Sequence, residues 1–134
     1  MLRTIAIYLG SAAAFFTVDL LWLGVVARDF YRRDLGHLMA PEIRWGAALL
    51  FYFIFILGIV VFAVLPALES GDWFRAILLG GFVGVVGYAA FDLTCLALFK
   101  DFPVRIVVVD MIWGTVLSAL TATAGFAVGR WLGM

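Results

Sequence analysis

The chain has 134 residues, of which 66% are hydrophobic and only 13% charged; soluble domains run near ~45–50% apolar and ~25% charged, so a water-soluble monomer is excluded. Formal net charge is zero, which excludes the basic field that draws nucleic acid. One cysteine, Cys95, and one histidine, His37, exclude an intrachain disulfide, paired-thiol redox chemistry and a multi-histidine metal or haem site within one chain, so no cofactor or metal is expected.

Taken in order, the chain has four apolar stretches: 4–27, 45–68, 76–99 and 106–128. Each is long enough to cross the ~30 Å core of a bilayer as a tilted helix. The first opens like a signal peptide, with Arg3, then Ile5–Leu9, then Ala12-Ala13-Ala14. Its apolar run continues to Ala27, however, which predicts a helix that stays in place. Residues 28–44 are polar, with Phe30, Tyr31, Leu35 and Leu38 interleaved among charges. That pattern suits a short interfacial helix at headgroup level. Gly36 is placed to end it and Pro41 to sit in the first turn of the next helix. His37 reads as a solvated residue, and Pro66 as the end of the second helix. Tight loops at Glu69–Arg75 and Lys100–Arg105 make consecutive helices antiparallel neighbours. The predicted fold is a single all-α membrane domain, a four-transmembrane-helix antiparallel bundle.

Arg28, Arg32, Arg33, Arg44, Lys100 and Arg105 fall on one side of such a bundle, and Arg3, Arg75 and Arg130 on the other. This bias predicts cytoplasmic placement of the two larger loops, with both termini outside. Trp73 and Trp131 on one side, with Tyr31 and Trp45 on the other, read as interfacial anchors. Asp19-Leu20-Leu21-Trp22-Leu23 matches Asp92-Leu93-Thr94-Cys95-Leu96, and Glu42-Ile43-Arg44-Trp45-Gly46 matches Asp110-Met111-Ile112-Trp113-Gly114. The order is the same in both halves, which predicts two tandem helix hairpins related by an axis along the membrane normal. Gly80 and Gly84, and likewise Gly125 and Gly129, form small-residue faces. These serve either close packing within the chain or a homodimer contact.

Three carboxyls stand inside the apolar stretches: Asp19, Asp92 and Asp110. A central Asp costs roughly 2.5–3.5 kcal/mol on an insertion scale, so each should face other helices or a wet cavity. Counting from Arg28, Lys100 and Arg105 places them roughly 13, 12 and 8 Å from one and the same membrane face. Tyr88, Asp92 and Cys95 share a helix face at i, i+4 and i+7. Trp22 follows Asp19 by three residues, and Trp113 follows Asp110 by three. The expected site is a pocket of Asp19, Asp92 and Asp110 walled by Trp22, Tyr88 and Trp113. With no Lys or Arg inside the apolar stretches the acids cannot pair by charge, and at least one is expected to hold a proton. The competing expectation is that each acid accepts bonds from a neighbouring Tyr or Trp and only fixes helix geometry.

Further motifs are Asp19-Leu20-Leu21-Trp22-Leu23-Gly24, Phe30-Tyr31, Leu35-Gly36, Val61–Leu68, Tyr88 with Asp92-Leu93-Thr94, and Val109-Asp110 with Trp113–Leu117. Together they resemble the bacterial predicted membrane proteins grouped as domain of unknown function 2177, over about residues 5–128. The resemblance implies a small multi-pass protein of the bacterial inner membrane with four helices. It leads one to expect Asn after Thr94; this chain has Cys95, so no amide is offered there. It implies no activity. The residues themselves lead to a membrane protein that binds or transports a proton, a small cation or a lipid-like polar ligand. The alternatives are a lipid-modifying enzyme or accessory subunit using a carboxyl pair, and a non-catalytic membrane subunit.

Overall fold

Backbone N–H and C=O groups find no water partners in lipid, so a spanning chain satisfies them within itself as helix. The computed structural model, which describes residues 1–39, 42 and 44–133, follows this rule. Helix α1 (Leu2–Leu21) runs on through a π-helical turn, Trp22–Val26. After it come α2 (Arg28–Leu35) and a short 3₁₀ turn, Gly36–Leu38. Helix α3 (Trp45–Ile59), a second π turn (Val60–Val64) and α4 (Leu65–Ser70) form one continuous rod. Helices α5 (Trp73–Leu98) and α6 (Val104–Trp131) complete the bundle. Four of these stretches are long and apolar enough to cross a membrane: Leu2–Val25, Trp45–Ser70, Trp73–Leu98 and Val104–Trp131. The expectation for Pro41 lies outside the described residues.

The second helix does not end at Pro66; it continues to Ser70. Proline lacks an N–H and its ring collides with the carbonyl four residues back. The wide π turn immediately before α4 opens the ladder there, so Pro66 sits in the first turn of α4 and the rod is not broken. The chain reverses at Gly71, in the left-handed conformation with φ of 67°, and α5 is capped by the Asp72 carboxylate accepting from Phe74 N–H at 3.0 Å.

The central core is made by Ile7 and Phe15 of α1, Ile56 and Ile59 of α3, Val64, and Leu117 and Phe126 of α6. Large apolar side chains such as Ile54, Phe62, Phe82 and Ile112 point outward and stay exposed. A water-soluble monomer rarely shows so much contiguous apolar surface; lipid covers it at no cost.

The glycine faces are filled from within the chain. A Cβ on Gly80 would stand 2.6 Å from Ala122 Cβ, and one on Gly84 2.7 Å from Ser118 Oγ, so α5 and α6 meet backbone to backbone. A Cβ on Gly129 would reach Leu68, and one on Gly125 would reach Ser11 and Val64. Of the two uses expected of these faces, close packing within the chain is the one seen here.

Helix α2 lies across the ends of α5 and α6. Phe30, Tyr31 and Leu35 pack against a second apolar cluster of Cys95, Phe102, Ile106 and Val107. The Arg105 guanidinium donates twice to the Asp34 carboxylate, at 2.9 and 2.7 Å, and lies 4.9 Å from the centre of the Phe30 ring. The pair is bidentate but Arg105 is largely exposed, so it belongs at the upper end of the ~0–1 kcal/mol range of surface ion pairs. Asp34→Asn is expected to lower stability by about 0.5–1 kcal/mol in low salt, and by less in 1 M salt, where screening is strong. Thermal unfolding at the two ionic strengths checks this. A loss that salt does not reduce would mean the contact acts by packing alone.

Candidate functional site

The end of the bundle that α2 covers holds a cavity of about 740 Å³. Every spanning helix contributes to its wall. Asp19 comes from the last turn of α1 and Trp22 from the π turn; Ala48, Phe51 and Tyr52 come from α3; Gly87, Tyr88 and Phe91 from α5; Asp110 and Trp113 from α6. Tyr31 of α2 closes it from above the bundle end.

Hydrogen bonds tie these groups into a chain. Trp113 Nε1 donates to Asp19 Oδ1 at 3.1 Å. Trp22 Nε1 donates to the Tyr31 hydroxyl at 3.2 Å, and that hydroxyl donates to Asp110 Oδ1 at 2.8 Å. The two indoles stack face to face, 4.4 Å between centres and 10° from parallel. Asp19 and Trp22 stand three apart on α1, and Asp110 and Trp113 three apart on α6. Each tryptophan thus serves the other helix's acid, once directly and once through Tyr31. The Tyr52 hydroxyl faces the Asp19 carboxyl, and its ring is held by Phe15 and Phe16 at 5.5 and 5.7 Å. The Tyr88 ring lies flat on Gly114, where any Cβ would run into it.

Of the six residues expected from sequence, Asp19, Trp22, Tyr88, Asp110 and Trp113 line the cavity. Asp92 does not. It is fully buried behind the wall, its carboxyl against that of Asp110, and neither of its oxygens meets an ordinary donor. Cys95 is buried a turn further along the same face. Among the described residues no group of three His, Cys, Asp or Glu side chains is placed to hold a metal ion.

Sequence reading missed Tyr31 and Tyr52. Tyr31 was expected as an interfacial anchor; it is half-buried and bonded to Asp110 instead, because the fold of α2 over α6 turns it inward. Its only signal was its place in the Phe30-Tyr31 motif. Tyr52 sits in a run of Phe and Tyr where nothing separates a pocket residue from a core one. Burial and the Asp110 carboxyl beside it push the Tyr31 phenol up from its ordinary value. A raised folded-state value means the bond's contribution is complete below the unfolded phenol's pKa of about 10 and is lost only as pH rises through the higher folded value.

Tyr31→Phe is expected to cost about 1.5–3 kcal/mol, the range for a hydrogen bond to a charged group. It also leaves the Trp22 N–H without its acceptor. Chemical unfolding in detergent, together with the emission maximum of Trp22 in a protein lacking the other tryptophans, checks both consequences. A cost below about 0.5 kcal/mol would show that the Tyr31 bridge contributes little.

Four spanning-length helices enclosing a pocket of acids and indoles at one end define a multi-pass integral membrane protein. The family model described as "Predicted membrane protein (DUF2177)" matches residues 4–127, and the chain belongs to that family. No curated protein and no solved structure matches the chain.

Proposed function

We propose that the protein is a binding protein of the bacterial inner membrane whose pocket takes a cationic polar group, an amine or ammonium. The observation that carries this reading is the cavity wall itself. It presents the carboxyls of Asp19 and Asp110 among the rings of Trp22, Tyr31, Tyr52, Tyr88 and Trp113, and no basic side chain among the described residues. Anionic oxygens attract a cation by charge, and indole and phenol faces attract it through the ring quadrupole, most strongly where water is excluded. Acids within a spanning segment are costly and are retained where they meet a ligand, an ion or a proton.

The test uses the purified protein in a neutral detergent. Tetramethylammonium chloride is titrated against sodium chloride at matched ionic strength, with tryptophan emission and melting temperature as readouts. A saturable change with tetramethylammonium alone is expected. Indistinguishable responses to the two salts would overturn the reading.

A further inference from the structure

A second cavity adjoins the first. It is about 510 Å³ in volume, and Phe51 and Gly87 stand in the walls of both. The remainder of its lining is apolar, with Ile54, Gly58 and Phe62 on one side and Leu79, Phe82 and Val86 on the other. It is a groove between α3 and α5. The two helices close on each other where the Phe55 ring lies on Gly87, but at Gly58 a Cβ would meet nothing within 4 Å. From Phe51 to Phe62 the rod rises roughly 16 Å, about half the hydrocarbon thickness. Phe62 is 67% exposed and Phe82 66%, so the groove opens sideways, onto the surface that faces acyl chains.

We infer that one membrane lipid with an amine headgroup occupies both cavities, its ammonium among Asp19, Asp110 and the indoles and one acyl chain in the α3–α5 groove. Three observations select this occupant. Phe51 and Gly87 border both, so a polar cavity and an apolar groove lie side by side, within the reach of one amphiphile. The acid end, with Asp19 and Asp110 and no basic lining residue among those described, selects a cationic head over an anionic one. The sideways opening admits a molecule already in the bilayer, which gives up no water-exposed apolar surface on entry. The inference rests on the acid pocket being the cation site proposed above, and it names the ligand class of that site.

Gly58 supplies the test, because a Cβ there meets nothing within 4 Å and a larger side chain extends into the groove. The protein is reconstituted in vesicles of equal parts phosphatidylethanolamine and phosphatidylglycerol, extracted gently, and its retained lipid measured by native mass spectrometry. The wild-type chain is expected to keep phosphatidylethanolamine in preference to phosphatidylglycerol. Gly58→Leu is expected to lose that lipid by roughly tenfold or more, because the leucine side chain takes the space the acyl chain needs. Its response to tetramethylammonium stays as in the wild type, and Gly58→Ala, too small to fill the groove, keeps the lipid. Equal retention of the two lipids by the wild type, or undiminished retention by Gly58→Leu, overturns the inference and leaves the cation site standing if the tetramethylammonium response persists. Loss of that response in the wild type brings down the cation site and the lipid inference with it.

Discussion

Asp19→Asn combined with Asp110→Asn is expected to abolish the saturable response to tetramethylammonium while leaving a folded bundle. The substitution keeps the shape of each side chain, removes its charge and puts an NH2 in place of one oxygen. The amide oxygen of Asn at position 19 still accepts from Trp113 Nε1, and that at position 110 from the Tyr31 hydroxyl, so the links seen at 3.1 and 2.8 Å survive. What goes is the attraction between carboxylate and cation, about 4 kcal/mol for a pair 4 Å apart at an effective dielectric constant of 20. The rings alone hold a cation by roughly 0.5–2 kcal/mol. Affinity should therefore fall by about a hundredfold or more, as read by tryptophan emission. Circular dichroism and the melting temperature should change little. Asp19→Leu makes the contrast: it strands the Trp113 N–H inside the bundle, which costs about 1–3 kcal/mol and lowers the melting temperature as well. If the double Asn variant unfolds and Asp19→Leu does not, the acids serve the fold and not a ligand.

The largest expected effect on stability comes from Gly114→Val. A Cβ there meets three atoms of the Tyr88 ring, and β-branched valine adds two methyl groups in the same direction. Neither neighbour can give way easily. Tyr88 is wedged against Phe55, ring centres 5.7 Å apart, and the backbone of α6 packs on Gly84 behind it. Overpacking of a tight core costs about 1–3 kcal/mol and occasionally more; this site belongs at the top of that range. The variant is expected to lose most of its folded yield in detergent and to lose tetramethylammonium binding, since Tyr88 leaves the cavity wall. Gly46→Ala is the matched control. A Cβ at Gly46 meets nothing within 4 Å, and alanine is the better helix former by roughly 1 kcal/mol, so its melting temperature should hold or rise. Equal melting temperatures for the wild type and Gly114→Val would show that α5 and α6 do not pack as closely as described.

Much of this was legible in the residues before any coordinate. The four spans follow from apolar length alone, because in lipid a long apolar stretch has helix as its only way to satisfy its backbone. The three acids were legible for the same reason: against such a background a carboxyl is conspicuous. The i+3 tryptophans after Asp19 and Asp110 were visible too. The tandem-repeat reading paired Asp19 with Asp92, whereas the pairing across the cavity joins Asp19-x-x-Trp22 to Asp110-x-x-Trp113 on antiparallel helices. Sequence order favours matches that run in the same direction and hides ones that run against it.

Amino-acid sequence by itself determined the class of protein and the number of spans, since both depend on local apolarity and helix length. Only the tertiary structure decided which side chains meet. Helix rotation set Asp92 behind the wall and Asp110 on it. The fold of α2 over the bundle end brought Tyr31 to Asp110, and the clearance at Gly58 opened a groove where Gly84 and Gly114 allow none. These are consequences of helices packing to within a fraction of an ångström, and such distances arise between segments far apart in the chain, where neither periodicity nor composition carries any record of them.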